Sequence, residues 1–222
     1  MQIVFPAGTG RPSLSRVFVV NSDGTGLKDL GPGGLPIWMP DGKQIAFCSP
    51  SWDLALMKPD GSERQVIYQN GWAIQVSPDG REALFKDFGA AGSQNLTVMD
   101  LKTQQKRQLL NGEARRYGNL YWNFAWSPDG KWISFYGTSR MTGKHEFAVV
   151  STKGSDHGFR VLMKDADDFF PRTSWHPDGD RILIGRRPKN QQSGAYLLKL
   201  SDQDYCKPLF EATGIARAEP PA

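Results

Sequence analysis

Four short apolar runs recur along the chain: Gln44-Ile-Ala-Phe47, Glu82-Ala-Leu-Phe85, Trp132-Ile-Ser-Phe135 and Arg181-Ile-Leu-Ile184. Their length and their β-branched and aromatic content predict strands with one or both faces buried. Each run is entered from the same kind of phrase: Trp38-Met-Pro-Asp-Gly-Lys, Val76-Ser-Pro-Asp-Gly-Arg, Trp126-Ser-Pro-Asp-Gly-Lys and Trp175-His-Pro-Asp-Gly-Asp. Pro presets φ for a turn, Asp tolerates the next position, and Gly takes positive φ without a Cβ penalty. The twelve residues Pro40, Asp41, Gly42, Pro78, Asp79, Gly80, Pro128, Asp129, Gly130, Pro177, Asp178 and Gly179 are therefore read as structural turns. The four aspartates are not read as a row of acids or metal ligands.

A second set of apolar runs lies one after each of these strands, with one more ahead of the first: Val17 to Val20, Leu54 to Met57, Leu96 to Met99, Phe147 to Val150 and Tyr196 to Leu200. Shorter runs close each unit, as in Arg64 to Tyr68, Lys106 to Leu110, Phe159 to Met163 and Lys207 to Phe210. The repeating unit thus has four strands, A to D, with the Pro-Asp-Gly turn between A and B. The four prolines lie 38, 50 and 49 residues apart, the length of a propeller blade. An all-β propeller of four-stranded antiparallel blades is predicted, with units near 1–30, 31–70, 71–110, 111–163 and 164–210 in a single domain 1–222. The first unit starts at Gln2-Ile-Val-Phe5, which matches strand B, so it lacks strand A. Two completions are open. Residues 211–222 supply a strand A and close a ring of five, or the five units belong to a larger propeller of a longer chain.

Composition fits many tight turns, with 24 Gly and 15 Pro among 222 residues. No apolar run approaches the roughly 20 residues that span a bilayer, so no membrane insertion is expected. The net charge of +4 is mild. Arg115-Arg116 and Arg186-Arg187 are offset by Asp165, Asp167 and Asp168, so nucleic acid is not an expected partner. Cys48 and Cys206 fall in non-adjacent units and are read as buried free thiols. No zinc-type cysteine spacing, P-loop, dinucleotide fingerprint or Gly-x-Ser-x-Gly elbow is present, and no cofactor is expected.

The phrase Trp126-Ser-Pro-Asp-Gly-Lys-x-Ile-x-Phe135, followed by an apolar strand and further hairpin turns, resembles the TolB-type β-propeller repeat. The Gly-His and Trp-Asp pairs of WD repeats are missing. The resemblance implies a fold shared by periplasmic TolB, the propeller domains of prolyl-oligopeptidase-like enzymes and oligogalacturonate lyases. It therefore implies no single function. It also implies an extracytoplasmic, periplasmic location, although the N-terminus shows no signal-peptide pattern. Lyases of this resemblance use a histidine-rich manganese site. Here only His145, His157 and His176 occur, and the last two belong to turns at the end opposite His145.

In a blade of this kind the A–B and C–D turns leave one face, and the B–C and D–A connections leave the other. The second set varies in length and composition, as recognition loops do. It carries the expected binding residues Arg115, Arg116, Tyr117, Tyr121, Trp122, Arg140, His145, Phe169, Phe170 and Arg172. Strand alternation places Trp122, Phe124 and Trp126 on one side, and Tyr121 and Asn123 on the other. The expectation is a non-catalytic scaffold that binds a protein partner or an extended peptide or saccharide. The alternative is a carbohydrate-active lyase on acidic oligosaccharides, with Arg115, Arg116, Arg140 and Arg172 holding carboxylates and Tyr121 or His145 as base.

Overall fold

The computed structural model describes residues 1–8, 11–89, 93–166, 173–186, 194–202 and 204–211. The first sheet has three strands, β1 (Gln2–Gly8), β2 (Ser15–Asn21) and β3 (Lys28–Pro32). The second holds β4 (Gly34–Trp38), β5 (Ile45–Cys48), β6 (Leu54–Met57) and β7 (Gln65–Tyr68). The third holds β8 (Gly71–Val76), β9 (Glu82–Phe88), β10 (Gln94–Asp100) and β11 (Lys106–Gln108). In the fourth, β12 (Tyr117–Leu120) and β13 (Ala125–Trp126) both pair with β14 (Trp132–Ser139), followed by β15 (His145–Ser151) and β16 (Phe159–Ala166). The fifth holds β17 (Thr173–Trp175), β18 (Arg181–Arg186), β19 (Gly194–Lys199) and β20 (Cys206–Glu211). Every pairing is an antiparallel meander, so the sheets are blades, and among the described residues the first has three strands, β1 standing where β5 stands in the second. The tail 212–222 lies outside the described residues.

Each Pro-Asp-Gly phrase closes a turn. The amides of Gly42, Gly80, Gly130 and Gly179 donate to carbonyls three residues back, at 2.8, 2.9, 3.0 and 3.0 Å. All four glycines have φ between +67° and +76°. In each turn the aspartate Oδ1 accepts the amide two residues on. In the two Ser-Pro-Asp-Gly copies the serine hydroxyl also bonds the aspartate, at 2.6 Å for Ser77 and 2.7 Å for Ser127.

The core lies between blades. Side chains alternate along a strand, so Ile45 and Phe47 pack toward the first blade with Val17 and Val19, while Ala46 and Cys48 pack toward the third with Ile74, Ala83 and Phe85. A third apolar cluster joins blades three and four through Leu84, Leu96, Ile133 and Phe135. The fourth joins blades four and five through Tyr136, Phe147, Ile182 and Ile184. Full burial of each Val, Leu, Ile or Phe side chain here contributes about 1.5–3 kcal/mol. Cys48 lies in one of these layers, where burial pushes its thiol up to about 11. Cys206 is exposed, against the expectation of a buried thiol, because β20 is the outer strand of its sheet.

Candidate functional site

The innermost strands are bulged at one level. Between Gly34 and Ile37 the pairing of β4 with β5 slips by one residue, opposite Phe47, and Leu35 takes φ +49°. Between Trp72 and Gln75 the pairing of β8 with β9 slips the same way, opposite Phe85, and Ala73 takes φ +56°. Blade four carries the largest departure. Leu120 pairs with Gly137 and Tyr121 N–H still reaches the Tyr136 carbonyl at 3.0 Å, yet Ala125 already pairs with Ser134. Two extra residues must leave the ladder there, and bulges of this kind re-aim side chains. Phe124 returns to the core at 2% exposure, whereas Trp122 stands out at 45%. The simple alternation expected for Trp122, Phe124 and Trp126 therefore fails at Trp122.

Blade three clamps the entry to this bulge. Lys86 Nζ donates to the Leu120 carbonyl at 2.8 Å, and Gln94 Oε1 accepts the Leu120 amide at 2.8 Å. Lys86 is 8% exposed and lies 4.9 Å from the centre of the Phe88 ring. Burial pulls its ammonium down to about 8, because a charged amine loses hydration there. Trp72 pairs with Lys86 across the strands, and the Trp52 ring packs against Trp72 with centroids 4.4 Å apart and the planes tilted by 32°. Trp52 sits at φ +65° in a tight loop held by Ser49 and is 39% exposed.

The loop end of blade four carries two polar groups, one on each side of its sheet. On the side of blade three, Glu146 is 3% exposed and takes both the Arg116 guanidinium and the Tyr117 hydroxyl, the latter at 2.9 Å. Gly137 makes this possible: a Cβ there would stand 2.6 Å from the Tyr117 ring. Burial, then the neighbouring carboxylate, pushes the Tyr117 phenol upward, and the same carboxylate raises Arg116. On the side of blade five, Tyr121 packs on Tyr136 at 4.9 Å, and Thr138 Oγ1 lies 3.1 Å from His145 Nδ1.

No protein-family model and no curated protein matches this sequence. Solved structures do match. TolB from Acinetobacter baumannii superposes with a TM-score of 0.68 at 21% identity, over 95% of this chain and 53% of that one. A protein from Agrobacterium tumefaciens assigned as TolB gives 0.63 at 20% identity, over 95% of this chain and 81% of that one. The chain has a TolB-like β-propeller fold. It spans about half the length of the Acinetobacter protein. An oligogalacturonate lyase in complex with manganese also matches, at TM-score 0.62 and 19% identity, over 83% of this chain and 54% of that one.

On this propeller the expected residues divide. Arg115 and Arg140 are exposed, with the Arg140 Nε on the Tyr117 carbonyl at 3.0 Å, while Arg116 is tied to Glu146. Tyr117, expected on the binding face, is 2% exposed, so it positions Glu146 and offers no contact surface. Tyr121 and His145 are half-buried against Tyr136. Trp122 is the most open of the expected aromatics among the described residues. Phe169, Phe170 and Arg172 lie outside the described residues. Sequence reading missed Glu146, Lys86 and Trp72. The two charged residues interrupt or end otherwise apolar strands, and that was their signal.

Proposed function

We propose that the propeller is a non-catalytic scaffold that binds a protein partner or an extended ligand on its variable-loop face, outside the cytoplasm. The two-residue bulge that projects Trp122 from the innermost strand carries this reading. Exposed indoles on rigid backbone are efficient anchors for peptides and sugars, because little side-chain entropy is lost on binding. Trp52, packed against Trp72 in a hydrogen-bonded loop, supplies a second such surface. The ionisable groups beside them are engaged internally: Glu146 by Arg116 and Tyr117, Lys86 by a backbone carbonyl.

The lyase reading fares less well. Arg116 is held by Glu146, and among the described residues no three of His, Cys, Asp and Glu converge as metal ligands would. The test is to probe peptide and oligosaccharide arrays, oligogalacturonates included, with the labelled protein. Trp122→Ala and Trp52→Ala should each weaken any hit by about tenfold or more, while Lys131→Ala at the opposite end should not. Binding indifferent to both tryptophans, or release of unsaturated oligogalacturonate products, would refute the proposal.

A further inference from the structure

The repeat assigns each blade two faces of different kind. One is set by the second and fourth residues of the strand-B run and their strand-C partners: Ile45 with Met57 and Phe47 with Ala55, Ala83 with Met99 and Phe85 with Thr97, Ile133 with Val150 and Phe135 with Ala148, Ile182 with Leu198 and Ile184 with Tyr196. In blades two to five each of these residues is at most 8% exposed, because the preceding blade covers it. The matching pairs in blade one are Ile3 with Val20 and Phe5 with Phe18. Ile3 is 47% exposed, and the other three are half-buried. Phe5 and Phe18 stack on each other at 5.8 Å.

The opposite face is set by the residues between. Ala46, Leu84 and Ser134 are fully buried against the following blade. Their counterpart in blade five, Leu183, pairs with Leu197 and is 39% exposed. Among the described residues no apolar cluster joins blade five to blade one. Among the described residues the chain thus shows one open face of each kind, and the same two kinds meet four times inside it.

We propose that a second copy of this chain packs head to tail on these surfaces, the Leu183–Leu197 face of one copy covering the Ile3–Phe5–Phe18 face of the next. The contact continues the inter-blade packing already used within the fold. It is heterologous, since the two surfaces differ, so each copy keeps one open face and association can continue. Among the described residues β1 pairs with β2 alone, and natural sheets usually cover such an edge.

Sedimentation velocity over a wide concentration range tests this. The wild-type chain should exceed its monomer mass of 24.7 kDa as concentration rises. Ile3→Lys and Leu183→Lys change exposed positions, and folding of both is checked by circular dichroism. Each alone should stay monomeric, but an equimolar mixture should form a dimer, because one variant retains the donor face and the other the acceptor. A wild-type monomer at every concentration, a self-associating single variant, or a mixture that stays monomeric overturns the proposal. A monomer in which the β1 amides that do not bond β2 also resist hydrogen exchange would point instead to closure within one chain.

Discussion

The indole Nε1 of Trp175 donates to the hydroxyl of Ser134 at 3.0 Å, across the boundary between blades five and four. Trp38 and Trp126 end the equivalent strands, and their indole nitrogens are buried with no partner among the described residues. The repeat places Val4 and Leu84 where Ser134 stands, and an aliphatic side chain cannot accept. Ser134→Ala should therefore leave the part-buried Trp175 donor without this acceptor and destabilise by about 1 kcal/mol, the net worth of a hydrogen bond. Urea denaturation reads this directly. An unchanged midpoint would show that the bond contributes nothing net.

Lys86 and two tyrosines, Tyr117 buried and Tyr68 half-buried, act in different pH windows. Lys86 titrates near 8 in the folded chain, against an ordinary value of 10.5, so below pH 8 the folded state holds a poorly solvated charge. Stability should rise as pH climbs from 8 toward 10.5, where the unfolded chain binds the extra proton. Lys86→Met should raise stability at pH 7 by up to about 3 kcal/mol, less about 1 for the bond to Leu120, and should abolish that rise. Tyr68, raised to about 12, and Tyr117, raised further, favour the neutral phenol when folded. Their contribution is complete below pH 10 and should fade above it. Melting temperatures from pH 7 to 11 separate the two effects.

Glu146→Gln should cost about 1.5–3 kcal/mol, because half-buried Arg116 keeps its charge while its counter-charge and a charge-assisted hydrogen bond are lost. Glu146→Ala with Arg116→Ala should recover part of that loss. A double-mutant cycle by denaturant titration gives the coupling. Additive effects would mean that the pair is not a unit.

At the bulge, Trp122→Ala should change stability by no more than about 0.5 kcal/mol, as expected of a surface position. Phe124→Ala, two residues on, should cost about 3–5 kcal/mol through lost burial and a cavity. Equal effects would remove the distinction between the projecting and the packed aromatic.

The Pro-Asp-Gly turns should show acid sensitivity. Asp79 and Asp129 are held below the ordinary carboxylate range, Asp79 chiefly by the Ser77 hydroxyl; for Asp129, hydrogen bonds from Ser127 and Lys131 outweigh its desolvation. A lowered folded value means a contribution present at neutral pH and lost as pH falls below about 4. Asp129→Ala should cost about 1 kcal/mol at pH 7 and nothing measurable near pH 2. A loss of the same size at both pH values would contradict this account.

Local chemistry was legible in the chain itself. Pro-Asp-Gly reverses a strand through its own dihedral preferences, and four copies at blade spacing, followed by alternating apolar residues, dictate sheets that bury both faces. That the first unit opens on a strand B was visible because Gln2 to Phe5 aligns with the later strands B. Other features depend on residues far apart in sequence. Glu146 becomes a buried acceptor only when β14 and β15 place it beside Arg116 and Tyr117 over Gly137. Lys86 meets Leu120 only when blade three packs on blade four. The two extra residues that free Trp122 are counted only against β14, its partner strand. Periodicity thus determined strands, turns and blades, because those follow from neighbouring dihedrals and alternation. Tertiary packing decided which charges are buried, which aromatics stay open and which blade faces are uncovered, because burial depends on what another blade brings to the surface.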